Sequence, residues 1–82
     1  SFGSTSMLIK VQLNTGFTIN IDVDPNDTIL IIKNKIFESQ GIDSTQQRIL
    51  YEGNIVNNQK TATELKLRAG ATLQLVINLR GG

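Results

Sequence analysis

Few residues in this chain of 82 could do covalent or metal chemistry, and their types and spacing exclude most of it. Cysteine and histidine are absent. That removes the thiol nucleophile, the imidazole base, the thiolate or imidazole zinc site and the disulfide framework together. Carboxylates crowd at Asp22, Asp24 and Asp27 in the manner of a calcium loop. Such a loop needs a glycine at its sixth position and a bidentate glutamate at its twelfth; counted from Asp22, those positions hold Asp27 and Lys33. The cluster therefore reads as strand-end solvation and as charge near a helix start, with no metal and no cofactor expected. Neither Gly-Lys-Ser/Thr nor G-x-G-x-x-G occurs, so no glycine loop cradles a phosphate. Intrinsic enzyme activity is not expected.

The length suits one domain, since independent domains typically run from about 50 to 250 residues and two cores would not fit. With 39% hydrophobic and 18% charged residues and a net charge of +1, the chain can bury one modest core. It has neither the broad basic face of a nucleic-acid binder nor the composition of a disordered acidic tail. No apolar run approaches the roughly 20 residues of a membrane span, and no charged segment leads into a hydrophobic stretch at the N-terminus. A soluble intracellular monomer is the expectation. Residues 1–6 are small and polar apart from Phe2 and read as a linker or expression remnant.

From Met7 the pattern becomes regular. Met7, Ile9, Val11 and Leu13 alternate onto one strand face, Asn14-Thr15-Gly16 supplies a turn, and 17–23 alternates again, which predicts a β-hairpin. Asp24-Pro25-Asn26-Asp27 breaks the strand. Thr28 stands as N-cap to a helix over 29–40 that Gly41 ends, with Ile29, Ile32 and Ile36 forming one stripe. Further strands are predicted over 46–51 and 72–78, with a stub at Ile55-Val56 and a polar connection from Thr61 to Leu67. The order is β-β-α-β-β, an α+β arrangement with a helix across one face of a small mixed sheet.

From Met7 to Gly82 the chain resembles ubiquitin. The resemblance rests on Thr15-Gly16, Thr18-Ile19, Pro25-x-Asp27-Thr28-Ile29, Lys33-x-Lys35-Ile36, Gly41-Ile42, Gln46-Gln47-Arg48, Gly53 and the terminal Leu79-Arg80-Gly81-Gly82. It implies the β-grasp fold over 7–78 and a flexible conjugation tail over 79–82. It also implies a function: an activating enzyme adenylates the Gly82 carboxylate and passes it as a thioester to a conjugating enzyme, after which a lysine amine attacks. Without a Cβ, Gly81 and Gly82 suit a narrow enzyme channel. The implied partners are activating and conjugating enzymes, ligases, deconjugating proteases and ubiquitin-binding domains, in cytoplasm and nucleus. A different class stays open, a ubiquitin-like docking domain of a larger adaptor protein.

Strand phase tests the implied binding patch independently of the resemblance. With Ile49 and Tyr51 inward Leu50 points out, and with Leu73, Leu75 and Ile77 inward Val76 points out. Both fall where the family places its apolar patch, with Arg48 and Gly53 at the rim. Asn14 and Gln74 replace the patch's leucine and histidine, so the apolar area is smaller. Asn78 replaces an arginine that helps ubiquitin's activating enzyme recognise it, which leaves room for a dedicated activating enzyme. Of ubiquitin's linkage lysines only those at Lys33 and Lys35 are kept; Gln12, Phe17, Ser39, Asn54 and Ala69 hold the other five positions.

One feature owes nothing to the resemblance. Leu30 and Phe37 share one flank of the predicted helix and Ile31 lies on the other, all about 110–130° from the buried stripe. Ubiquitin is polar at all three. Either a rotated helix buries Leu30 or Phe37, or the helix side forms a second docking surface.

Overall fold

A computed structural model describes residues 6–78. Strand β1 (Met7–Leu13) turns into β2 (Thr18–Val23), α1 (Ile29–Gln40) follows, and a 3-10 turn at Ser44–Gln46 leads to β3 (Gln47–Tyr51), β4 (Asn54–Ile55) and β5 (Thr72–Ile77). The five strands form one sheet in the order β2-β1-β5-β3-β4. β1 and β5 run parallel at its centre, and the other pairings are antiparallel. This is the β-grasp fold: a mixed sheet with one helix packed across it.

The alternation of the sequence becomes the two faces of the sheet. Ile9, Val11, Leu13, Ile21, Val23, Ile49, Leu73 and Leu75 are buried, and the helix covers them with Ile29, Ile32 and Ile36, all three fully inaccessible. Thr28 caps the helix, its hydroxyl accepting the Ile31 N–H at 3.4 Å. Gly41 ends it at φ 76°, donating its N–H to the Phe37 carbonyl at 2.6 Å. A side chain at Gly41 would be strained there whatever the free space.

Gln47 is the one buried polar side chain of the described core. Its Nε2 donates to the carbonyls of Lys33 (3.0 Å) and Ile42 (2.9 Å), which fastens the start of β3 under the middle of α1 and the loop after it. Its Oε1 is buried with no hydrogen-bond partner among the described residues, so the two Nε2 bonds alone offset the burial of this amide.

The sequence reading shifts in several places. The second strand begins at Thr18, not Phe17, and the last ends at Ile77, not Asn78. Gln46 belongs to the 3-10 turn, not the third strand, because Asp43 caps that turn and accepts the Gln46 N–H on its carbonyl. The stub pairs as Asn54–Ile55, with Val56 just beyond it. The 61–67 segment is more than polar, since Ala62 and Leu67 are core and Thr61 bridges Thr28. The helix's first turn holds no acidic residue to meet its dipole. Asp27 instead accepts the Asp24 N–H at 3.0 Å and pairs with Lys35 at 3.2 Å. No helix among the described residues is long and apolar enough to cross a membrane.

Candidate functional site

The outer sheet face is assembled from β1, β5 and β3. Register places Arg48 opposite Val76 and Leu50 opposite Gln74, while Gln12 lies beside Gln74 across the parallel pair. Val76 is 37% exposed; Leu50 is only half-buried, not fully outward. Gly53 (φ 84°) forms the β3–β4 turn at the rim, with Glu52 also left-handed at φ 55°. The structure thus brings Leu50, Val76, Arg48, Gln74 and Gly53 to one side of the sheet.

Asn14 joins them by a route the sequence does not show. Its backbone N–H donates to the Leu75 carbonyl at 2.9 Å, and its Oδ1 accepts the Ile77 N–H at 3.4 Å. The hairpin turn is tied to β5 on both sides of Asn14. A shallow cleft of about 410 Å³ results, lined by Gln12, Leu13, Asn14, Gly16, Gln74, Leu75 and Val76. Three carboxamides, Gln12, Asn14 and Gln74, therefore share the cleft with Leu13, Leu75 and Val76. Gln12 enters the site only through its register with β5, a pairing across 62 positions that no local pattern reveals.

Asn78 is exposed just past β5 and donates its backbone N–H to the Gln46 carbonyl at 2.9 Å, so the chain leaves the sheet beside β3. Leu79, Arg80, Gly81 and Gly82, the predicted conjugation tail, lie outside the described residues.

The two lysines in family positions have different surroundings. Lys35 pairs with Asp27 and donates to the Asp22 carbonyl. Lys33 is half-buried, and desolvation by burial, aided by the Arg48 charge, lowers its pKa below the usual 10.5. The folded chain then releases this proton at lower pH than the unfolded chain does, so between the two pKa values the unfolded chain binds more protons and stability rises with pH. Subtracting the pH–stability curve of Lys33→Gln from that of the parent should show the parent gaining toward pH 10.5. A flat difference would mean that the ammonium is not desolvated.

Leu30, Ile31 and Phe37 are 43%, 38% and 48% exposed, beside a stripe that is wholly inaccessible. The helix is not rotated to bury them. Among the described residues no group of acidic side chains is arranged to hold a metal ion.

A model of the ubiquitin family matches residues 8–80. The chain belongs to the ubiquitin family. Ubiquitin-like protein 1 of Schizosaccharomyces pombe is 45% identical over 76 residues, covering 93% of this chain and 97% of its own length. Ubiquitin-like protein NEDD8 of Dictyostelium discoideum is also 45% identical over 76 residues, covering 93% and 99%. The fold is shared with the ubiquitin of Caldiarchaeum subterraneum at a TM-score of 0.86 and 22% identity, over 95% of this chain and all of that one.

Proposed function

We propose that this chain is a protein modifier, joined through the Gly82 carboxylate to lysine amines of target proteins and read through the Leu50/Val76 face. The observation that carries the reading is that relatives 45% identical are themselves almost wholly this domain, matched over 97% and 99% of their length. The Leu79-Arg80-Gly81-Gly82 ending supports it. The carboxylate attacks ATP and displaces pyrophosphate, an enzyme thiol displaces AMP, and a lysine amine displaces the thiol to leave an isopeptide bond. The chain supplies the transferred acyl group; activating and conjugating enzymes, ligases and deconjugating proteases supply the catalysis. That role places it in cytoplasm and nucleus. The neutral Asn78 favours a dedicated activating enzyme over ubiquitin's own.

The test is a tagged chain expressed in cells and purified under denaturing conditions, alongside incubation with ubiquitin-activating enzyme and ATP read on a non-reducing gel. Conjugates that survive denaturation support the modifier reading. Their absence from cells, with no thioester adduct, leaves the domain as an adaptor's docking module.

Binding at the Leu50/Val76 face should be weak, roughly micromolar or weaker, because few apolar side chains are buried to offset the entropy of association. Titrating a ubiquitin-binding helix while following amide shifts checks this, and shifts that avoid 46–51 and 72–78 would refute it.

Homopolymers should be rare. Amide, phenyl, hydroxyl and methyl side chains at Gln12, Asn54, Phe17, Ser39 and Ala69 offer no amine to attack a thioester. Lys35 is held by Asp27 and the Asp22 carbonyl, and Lys33 is half-buried. Lys10, Lys60 and Lys66 keep amines outside the family positions; mass spectrometry of cellular conjugates should still find mainly single attachment or chain capping, and abundant homopolymers would overturn that.

A further inference from the structure

Helix α1 carries an apolar flank with a lysine set into it, and its one acidic residue, Glu38, lies about 80–100° round the helix from Leu30 and Phe37. At about 100° per residue Lys33 lies between the buried stripe and the exposed Leu30 and Phe37, at i+3 from one and i−4 from the other. Lys33 is half-buried, yet the ion pair found among the described residues joins Lys35 to Asp27 on the opposite flank. The Gln47 bond to the Lys33 carbonyl holds β3 against this part of the helix. Along the helix start, the carbonyls of Asn58 and Lys60 accept the N–H groups of Leu30 and Ile29. That loop reads Asn57-Asn58-Gln59-Lys60, with no acid.

We propose that Leu30, Lys33 and Phe37, with Lys60 at the rim, dock a short amphipathic helix of a partner protein whose apolar residues cover Leu30 and Phe37 and whose carboxylates meet the cations. Charge complementarity selects an acidic partner, since a carboxylate beside Lys33 makes a charge-assisted hydrogen bond, and among the described residues Lys33 has no ion-pair partner. The area argues against a second copy of this chain. Even at the roughly 200 Å² of an aromatic side chain, Leu30, Ile31 and Phe37 expose less than half each, at most about 300 Å², whereas a stable dimer buries about 800 Å² per partner. A two-fold pairing would also set the cations of one copy against those of the other. This surface is separate from Leu50/Val76 and from the tail, so it stands or falls independently of conjugation.

The experiment uses the full 82-residue chain labelled for amide shifts and two synthetic 14-residue helical peptides, one with leucine at i, i+3 and i+7 flanked by glutamates, the other with each glutamate replaced by lysine. The acidic peptide should shift residues 29–38 and 57–60, bind about tenfold or more tightly than its lysine counterpart, and weaken as salt is raised. Lys33→Gln, and Leu30→Gln with Phe37→Gln, should each weaken it by about tenfold while the thermal midpoint holds, and Gly82→Ala should bind unchanged. Equal binding of the lysine peptide, shifts confined to 47–51 and 72–77, binding that survives the Leu30/Phe37 double variant, or self-association abolished by that variant would each overturn the proposal. So would a fall in thermal midpoint as large as that of a core variant such as Ile36→Ala, which would show the pair to be core.

Discussion

Gly82→Ala is expected to abolish thioester formation while leaving the thermal midpoint unchanged. The two halves of that result have separate causes. Residue 82 lies five positions beyond the end of β5 at Ile77, and among the described residues the core cluster runs from Met7 to Ile77, so the substitution leaves every side chain of that cluster unchanged. The reacting carboxylate belongs to the substituted residue itself. A methyl on its α-carbon narrows the backbone angles open to it and widens the strand that must enter an enzyme channel. A displacement of about 1 Å at a reacting centre can cost 10²-fold in rate, and successive acyl transfers would each meet the same obstruction. The measurement is the adduct band on a non-reducing gel, with cellular conjugates as the second readout. Conjugates formed at parental level by Gly82→Ala would remove Gly82 as the reactive end.

The elements of the fold were legible because each has a local cause. Ile29, Ile32 and Ile36 at helical spacing between Thr28 and Gly41 predict the helix to the residue, and the alternation of Ile9, Val11 and Leu13 predicts a one-sided strand. Leu50 and Val76 followed from strand phase, although Leu50 emerged half-buried because the inside/outside rule says nothing of the neighbours that lean over it. What could not be read is set by pairs distant in sequence. Gln12 reaches the site through the parallel register of β1 and β5, and Asn14 does so by clamping a turn to Leu75 and Ile77. Gln47 looks like any polar residue opening a strand, and only the helix above it and the loop after that helix supply the two carbonyls, of Lys33 and Ile42, that let it be buried. Lys33 and Lys35, two residues apart and alike in sequence, differ for the same reason. Lys35 pairs with Asp27, whereas Lys33 is half-buried and its pKa is lowered by that burial and by the charge of Arg48.

Ile36→Ala should cost about 2–5 kcal/mol, the range for truncating a buried aliphatic to alanine where the surroundings cannot close over the lost volume. Collapse is restricted here. Ile36 is wholly inaccessible and shares its cluster with residues of β1, β3 and β5, whose central pairing fixes the floor beneath the helix. Thr28 and Gly41 fix the helix ends, and Gln47 fixes its middle. At roughly 0.05–0.15 kcal/mol per residue a domain of this size has a total stability of about 4–12 kcal/mol, so the loss is a large share of it. Urea unfolding followed by circular dichroism should show a much lower midpoint with an unchanged slope, as a change in stability alone requires. Ile55→Ala is the matched control, since Ile55 is 60% exposed on the short edge strand and its truncation should stay within about 0.5 kcal/mol. A midpoint for Ile36→Ala no lower than that of Ile55→Ala would contradict the helix as the cover of the core. Because the same helix also holds Leu30, Lys33 and Phe37 in register, Ile36→Ala should weaken the acidic-peptide contact and the folded core together, whereas Leu30→Gln with Phe37→Gln should remove the contact and leave the core standing.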